Sequence, residues 1–350
     1  MLRRLSILLI IAAVPYAPGQ NPDRELIFQT GTVHFESSHA STIVELKDGS
    51  LMVAWFGGTG EGNPDVAIWS SQARSGRTPA WSPPEELARE PNVPCWNPVL
   101  FHTKDGRLWL YYKFGPSPGT WTAARKYSDD EGKTWSVAEH LPAGIIGPVR
   151  AKPLVLPDGV IVSGSSSESY HAWAVWIERS IDGGRTWMRT GPITPVPNAL
   201  KSGTQEGNET TGIIQPSVTS LGGEHLRLFA RSSANIARIM VADSFDNGIT
   251  WSTARPLDVP NPDSGIDAVA LKDGRVVLVF NNTTKGRTPL NLALSQDGEH
   301  FRIFATLEDQ PGEYSYPAMI QGSNGDLYIT YTWNRKSIAF VRVPLSNLPK

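Results

Sequence analysis

Six polar side chains stand at matched distances ahead of six recurrent glycines. His39 lies 10 residues before Gly49, Asn97 9 before Gly106, Arg150 9 before Gly159, Gln215 8 before Gly223, Asp267 7 before Gly274 and Tyr316 9 before Gly325. Singly, a buried Arg or His is more often a hydrogen-bonded plug than a reacting group. Six such side chains at one depth, drawn from distant parts of the chain, read instead as one polar funnel. Beyond the glycines, Glu168 follows Gly159 by 9 residues and Arg231 follows Gly223 by 8, which returns both to the same end, and Lys152 points with Arg150 by strand alternation. Carboxylates, cations, an imidazole and a phenol then converge, an inventory suited to acid–base chemistry on a charged substrate. Asn97, beside Trp96, reads equally as channel-wall packing.

The elements that must position these groups follow from the glycines. Each glycine, usually after Asp or Asn, precedes an alternating or apolar strand: LMVAWF after Lys47-Asp48-Gly49, LWLYYKF after Asp105-Gly106, VIVSG after Asp158-Gly159, LRLFAR after Gly222-Gly223, VVLVFN after Asp273-Gly274 and LYITYTW after Asn324-Gly325. Such turns join hairpin strands because their residues tolerate positive φ. Spacings of 57, 53, 64, 51 and 51 residues leave room for four short strands each. The expectation is an all-β chain, a six-bladed β-propeller with first strands lining a central channel. After the sixth hairpin only Ser337 to Val343 remains as strand, so Leu26 to Phe35 is expected beside it, closing the ring.

A second motif, S-x-D-x-G-x-T-W, recurs at Ser128 to Trp135, Ser180 to Trp187 and Ser244 to Trp251, with a degenerate copy at Ser295-Gln296-Asp297-Gly298 and a decayed one between Ser70 and Trp81. Its Asp accepts backbone N–H bonds in a tight turn and its Trp packs between blades. One carboxylate per turn is too few oxygen ligands for calcium. The polar stretch Gln205 to Thr211 reads as a solvated insertion or a rim to the funnel.

Composition sets the outer limits. Of 350 residues 40% are hydrophobic and 19% charged, and 32 Lys and Arg against 34 Asp and Glu give a net charge of -2. That balance lacks the basic footprint of a general nucleic-acid binder. Cys95 is the only cysteine, so neither an internal disulfide nor a cysteine metal site forms, and no metal or cofactor is expected. Arg3 and Arg4, the apolar run Leu5 to Val14 and the small and turn residues through Gln20 read as a secretory signal peptide, with a short membrane anchor as the alternative. Residues 21–350 are expected as one domain, secreted or periplasmic, with no membrane span in the mature chain.

Six hairpins carrying these Asp-boxes resemble the sialidase (neuraminidase) superfamily from about residue 30 to 343. That resemblance implies three arginines on a substrate carboxylate, a Tyr nucleophile assisted by a Glu, and an Asp acid/base. Arg231 fits the second arginine, Arg287 in Gly286-Arg287-Thr288-Pro289-Leu290 the third, and Tyr316 in Ser315-Tyr316-Pro317 the nucleophile. Asp65, or Glu61, in Glu61-Gly62-Asn63-Pro64-Asp65 falls in the loop expected to hold the acid/base. Two positions depart: His39 stands where the first arginine falls and Gln215 where the glutamate falls. Gln cannot take a proton from a phenol. Glu168 or Asp267 is the expected replacement base, and Arg150 or Lys152 the replacement cation.

Three activities stay open from the sequence, all on an acidic oligosaccharide or glycoconjugate. One is an exo-sialidase-like hydrolase gripping the carboxylate with Arg231 and Arg287. Another is a lyase on uronate-bearing polysaccharide, with His39 or Tyr316 abstracting a proton. The third is a glycan-binding propeller without turnover.

Overall fold

The computed structural model describes residues 22–74, 79–196 and 210–349. The expected signal segment 1–20 lies outside these residues, as do most of Gln205 to Thr211 and the centre of Ser70 to Trp81. Strands carry the described chain, with one short 3-10 turn at Leu345–Asn347. Among the described residues no helix is long and apolar enough to cross a membrane.

The strands come in antiparallel runs of four. Strand β1 (Arg24–Leu26) stands apart at the start of the chain, followed by β2 (Ser37–Glu45), β3 (Leu51–Gly58), β4 (Ala67–Ala73) and β5 (Glu85–Ala88) as the first sheet. The second comprises β6 (Cys95–His102), β7 (Leu108–Phe114), β8 (Thr122–Ser128) and β9 (Glu139–His140). Next come β10 (Leu154–Val155), β11 (Ile161–Ser169), β12 (Ala172–Ser180) and β13 (Met188–Ile193), then β14 (Thr211–Gly222), β15 (His225–Ser232), β16 (Arg238–Ser244) and β17 (Arg255–Pro260). A short parallel pairing of β12 with β14, at Ala172–Thr211 and Trp173–Gly212, fuses these two runs into one eight-stranded sheet. β18 (Asp267–Ala270), β19 (Val276–Asn281), β20 (Leu290–Ser295) and β21 (Arg302–Glu308) form another sheet. In the last, β22 (Tyr314–Gln321), β23 (Leu327–Trp333) and β24 (Ser337–Val343) are completed by β1.

That completing strand is shorter and earlier than Leu26 to Phe35. Arg24, Glu25 and Leu26 pair with Val341, Phe340 and Ala339, after which the chain leaves the ladder. Phe28 and Phe35 turn inward instead, Phe28 stacking on Trp55 at 5.2 Å and Phe35 packing tilted against Trp69 at 4.9 Å. Burying two aromatic rings outweighs a few more edge hydrogen bonds.

Continuous apolar second strands have a direct cause: both their faces are covered. In β3, Leu51, Val53 and Trp55 enter a core with Tyr328 and Phe340, while Met52, Ala54 and Phe56 enter another with Leu100 and Leu110. In β19, Val277 and Val279 join Ile329 and Tyr331, and Leu278 and Phe280 join Phe229 and Val241. Period-2 alternation thus serves two neighbours rather than core and solvent. All six hairpin glycines take positive φ, from 58° at Gly223 to 95° at Gly159.

The Asp-boxes fasten the outer edges. Asp130 accepts bonds from Ser128 Oγ at 2.8 Å, Thr134 N at 2.8 Å and Thr134 Oγ1 at 2.6 Å, and Asp182 and Asp246 repeat the pattern. These donors hold each of the three carboxyls at about 2. Each carboxylate is spent inside its own turn, and Trp187 of the third run lies edge-on against Tyr111 of the second at 6.2 Å. In the degenerate copy His300 replaces the threonine, its Nδ1 2.7 Å from Asp297.

Candidate active site

Tyr316 is delivered by a bulge. Register shifts interrupt β2 between His39 and Thr42, β6 between Trp96 and Val99, β14 between Ile214 and Ser217, and β22 between Ser315 and Ala318. At each break one residue takes positive φ: Ala40 at 55°, Asn97 at 32°, Gln215 at 54° and Tyr316 at 51°. Three of these precede a proline, Pro98, Pro216 or Pro317, which bars the right-handed helical region to the residue before it. Backbone held in this costly region at four corresponding places is a mark of a site. It also corrects the depth count, since the counterpart of Asn97 and Tyr316 in β2 is Ala40, with His39 one step outward.

The Tyr316 hydroxyl oxygen accepts a bond from Arg231 Nη1 at 2.6 Å and one from Gln215 Nε2 at 3.2 Å. Arg231 also donates to Gln215 Oε1 at 3.2 Å and, through Nε, to Asp263 at 2.8 Å. Three guanidinium carbons stand around the same phenol ring, Arg150 at 5.3 Å, Arg287 at 5.6 Å and Arg231 at 5.7 Å from its centroid. Arg231 and Arg287 therefore flank one ring. Gly265 makes room behind it, because a Cβ there would meet Arg150 Nε at 3.0 Å and Tyr316 Cγ at 3.4 Å.

His39 packs on Tyr316 with ring centroids 4.2 Å apart and lies edge-on to Phe56. Both its ring nitrogens are buried without a hydrogen-bond partner among the described residues. Burial, then the charges of Arg335, Arg287, Arg150 and Arg231, holds its proton affinity well below the imidazole norm. His39 is neutral.

Glu168 lies one residue before the end of β11, opposite Trp173. Its Oε1 is shut off from solvent without a partner among the described residues. Burial pushes this carboxyl up to about 7 against the pull of Arg231, with Asp263 and Glu61 adding to the rise, and the Gln215 side chain bonds to it. Gln215 thus sits between Glu168 and Tyr316.

Other expected participants are committed to structure. Asp267 is a knot between β14, β18 and β22: it accepts from Ser217 Oγ at 2.7 Å, Met319 N at 2.9 Å and Ala268 N at 2.9 Å. Lys152 is paired to it at 3.0 Å, so neither Asp267 nor Lys152 is the spare base or cation expected. Arg150, on a turn before β10 rather than in a strand, spends its guanidinium on the carbonyls of Ile266 and Pro317. It backs the Tyr316 ring. Asn97 is buried on its bulge and is not bonded to Tyr316. Asp65 receives the Thr59 N–H at 2.7 Å and hydroxyl at 2.8 Å, and these outweigh burial to hold its carboxyl below the usual range. It locks a loop instead of standing as a free acid. Glu61, at that loop's tip between Gly60 and Gly62, reaches across to Arg335.

Arg335 and Glu313 are absent from the sequence-based set. Glu313 accepts from Arg287 Nη1 at 2.9 Å and from Arg335 Nε at 2.9 and 3.1 Å, so one carboxylate seats two guanidiniums. Arg335 follows Gly325 by 10 residues. The return counts of 9 and 8 that picked out Glu168 and Arg231, carried to the last hairpin, end on Asn334 and Trp333 and so stop just short of it. Among the described residues no group of three or more His, Cys, Asp or Glu is placed to hold a metal ion.

A family model described as BNR repeat-like domain matches residues 49–329. No curated protein matches the chain. Among solved structures, a protein of unknown function from Dyadobacter fermentans aligns with a TM-score of 0.73 at 17% identity, covering 93% of this chain and 98% of that one. The NanB sialidase of Streptococcus pneumoniae aligns at 0.72 and 14% identity over 93% and 71%. The intramolecular trans-sialidase of Ruminococcus gnavus aligns at 0.69 and 13% identity over 92% and 97%. At such identities the likeness is one of fold.

Proposed function

This chain belongs to the BNR repeat-like domain family, and from that premise we propose that it is a secreted, sialidase-type glycoside hydrolase removing a terminal acidic sugar from a glycan. One observation carries the reading: Arg231 donates to the Tyr316 oxygen while Arg287 stands over the same ring. The attacking group and the carboxylate grip form one unit. Each charge-assisted contact to a substrate carboxylate is worth ~1.5–3 kcal/mol.

In the first step the Tyr316 oxygen bonds to the anomeric carbon and its proton is relayed through a water to Glu168, which is held at about 7 on the far side of Gln215. The Gln215 and Arg231 N–H groups steady the oxygen as its proton leaves. The glycosidic C–O bond breaks, and the leaving oxygen takes a proton from Glu61, which is presented by the loop that Asp65 locks and, paired as a carboxylate with Arg335 in the free protein, takes up that proton from solvent on leaving it. Water then attacks the anomeric carbon, giving one proton to Glu61, and the departing Tyr316 oxygen recovers its own from Glu168.

We read the six strand runs as blades of one propeller, closed by β1 on β24. The apolar core shared by Trp55 of the first run and Phe340 of the last supports closure. Residues 1–20 are read as the export leader of a single domain. The contact of His39 with Tyr316 supports a second reading, elimination on a uronate, in which one of the pair takes a proton and the other gives one. The lowered proton affinity of His39 makes it a weak base and supports hydrolysis as the first reading.

Incubating the purified protein with aryl sialosides and with uronate polysaccharides decides between them. Released sialic acid supports the hydrolase, and new unsaturated-uronate absorbance replaces it by the lyase. Binding without either leaves a glycan-binding propeller.

A further inference from the structure

Arg335 sits in an unusual backbone. It and Asn334 form the centre of the β23–β24 turn, closed by Lys336 N to Trp333 O at 3.0 Å, with φ of 53° and 51°. Asn is ordinary in such a turn, whereas the second place favours Gly, and a long side chain there is strained. Anchors hold it at the channel mouth: Ser38 N bonds to the Arg335 carbonyl at 3.0 Å, Asn334 Oδ1 accepts from Glu313 N at 2.9 Å, and Glu313 seats the guanidinium. Among the charges acting on buried His39, that of Arg335 is the largest, ahead of Arg287 and Arg231. A cation is thereby held beside the place left by His39, and it shares a carboxylate seat with Arg287.

The outward nitrogen of this guanidinium is occupied. Glu61 bonds to Arg335 Nη1, with side chains 36% and 30% exposed, from a loop tip flanked by two glycines. Its charge also acts on Glu168 across the mouth. A carboxylate on a short glycine-hinged tip, resting on a fixed guanidinium next to the substrate-binding arginines, occupies a seat fitted to a ligand carboxylate.

We propose that Glu61 stands in for the substrate carboxylate on Arg335 in the free protein and is displaced from that guanidinium when the substrate carboxylate arrives. The inference rests on the acidic-sugar reading above. It links recognition to chemistry, because only a substrate bearing the carboxylate releases Glu61 toward the leaving oxygen. A neutral sugar leaves Glu61 bound to Arg335. The exchange lowers apparent affinity by the fraction of time the seat is free: if Glu61 keeps Arg335 nine-tenths occupied, about tenfold.

The test is calorimetric binding of 2-deoxy-2,3-didehydro-N-acetylneuraminic acid, an inert carboxylate ligand, to the full chain and its variants. Glu61→Gln is expected to bind ~5–10-fold tighter than wild type. Arg335→Gln is expected to bind at least ~10-fold weaker, with Arg335→Lys recovering part of the loss. The double variant Glu61→Gln/Arg335→Gln is expected to match Arg335→Gln alone. That comparison and Glu61→Gln decide the matter even where Arg335→Gln unseats the turn. Unchanged or weaker binding in Glu61→Gln, with binding still lost in Arg231→Gln, overturns the exchange and leaves the proposed function standing. No binding to the wild-type chain removes the acidic-sugar reading, and this inference with it.

Discussion

Replacing Glu168 by Gln separates the catalytic role proposed for it from its structural cost. In the folded chain burial pushes the carboxyl up to about 7 from an ordinary 4.5. Moving that proton equilibrium so far is worth ~3 kcal/mol, which solvent screening at a half-buried side chain reduces to ~1–2 kcal/mol. Between the ordinary and the raised value the native state holds a proton that the unfolded chain has lost, so stability falls as pH rises through this window and stays lower above 7. Gln carries no such cost. Glu168→Gln is expected to match wild type at pH 4 in urea unfolding and to exceed it by ~1–2 kcal/mol at pH 8. Its kcat/KM on an aryl sialoside should drop by ~10²-fold or more, the usual loss for a general base. The wild-type rise in kcat/KM around pH 7, where Glu168 ionises, should disappear with it. A variant less stable than wild type at pH 8, or one keeping the pH 7 limb at near-normal rate, refutes Glu168 as the desolvated base.

Arg231→Ala removes the donor to Tyr316 and one arm of the grip, so kcat/KM on acidic substrates should fall by ~1.5–3 kcal/mol, about 10- to 150-fold; unaltered kinetics would remove it from the site. Tyr316→Phe should abolish turnover while keeping the fold by circular dichroism, and full activity would end both enzymatic readings. His39→Ala should retain hydrolysis, its loss together with unsaturated product marking elimination. Asp267→Ala should act through folding: losing the knot that takes Ser217, Met319 N and Lys152 costs ~3–5 kcal/mol, read as a lower melting temperature. An undisturbed melting curve would return Asp267 to the list of candidate bases.

The sequence by itself determined the repeat. Gly after Asp or Asn, a strand apolar on both faces, and the S-x-D-x-G-x-T-W turn are local signals, each set by φ, by side-chain period or by a carboxylate bonding its own turn, and all six hairpins appear in the structure. Counting from those glycines also placed Tyr316, Gln215, Arg231 and Glu168 at one end, since strand rise is nearly constant. Tertiary structure decided which polar groups were free to act. Asp267 pairs with Lys152 and takes Met319 N, and Arg150 bonds the carbonyls of Ile266 and Pro317, across strands that only folding brings together. Asp65 is taken by Thr59, while Glu61 and Arg335, 274 residues apart, meet. Bulges moved the register by one residue and put Ala40, not His39, level with Tyr316. Spacing fixes where a side chain starts along a strand; burial and the partners it meets fix whether its proton or charge remains available, and those depend on every sheet at once.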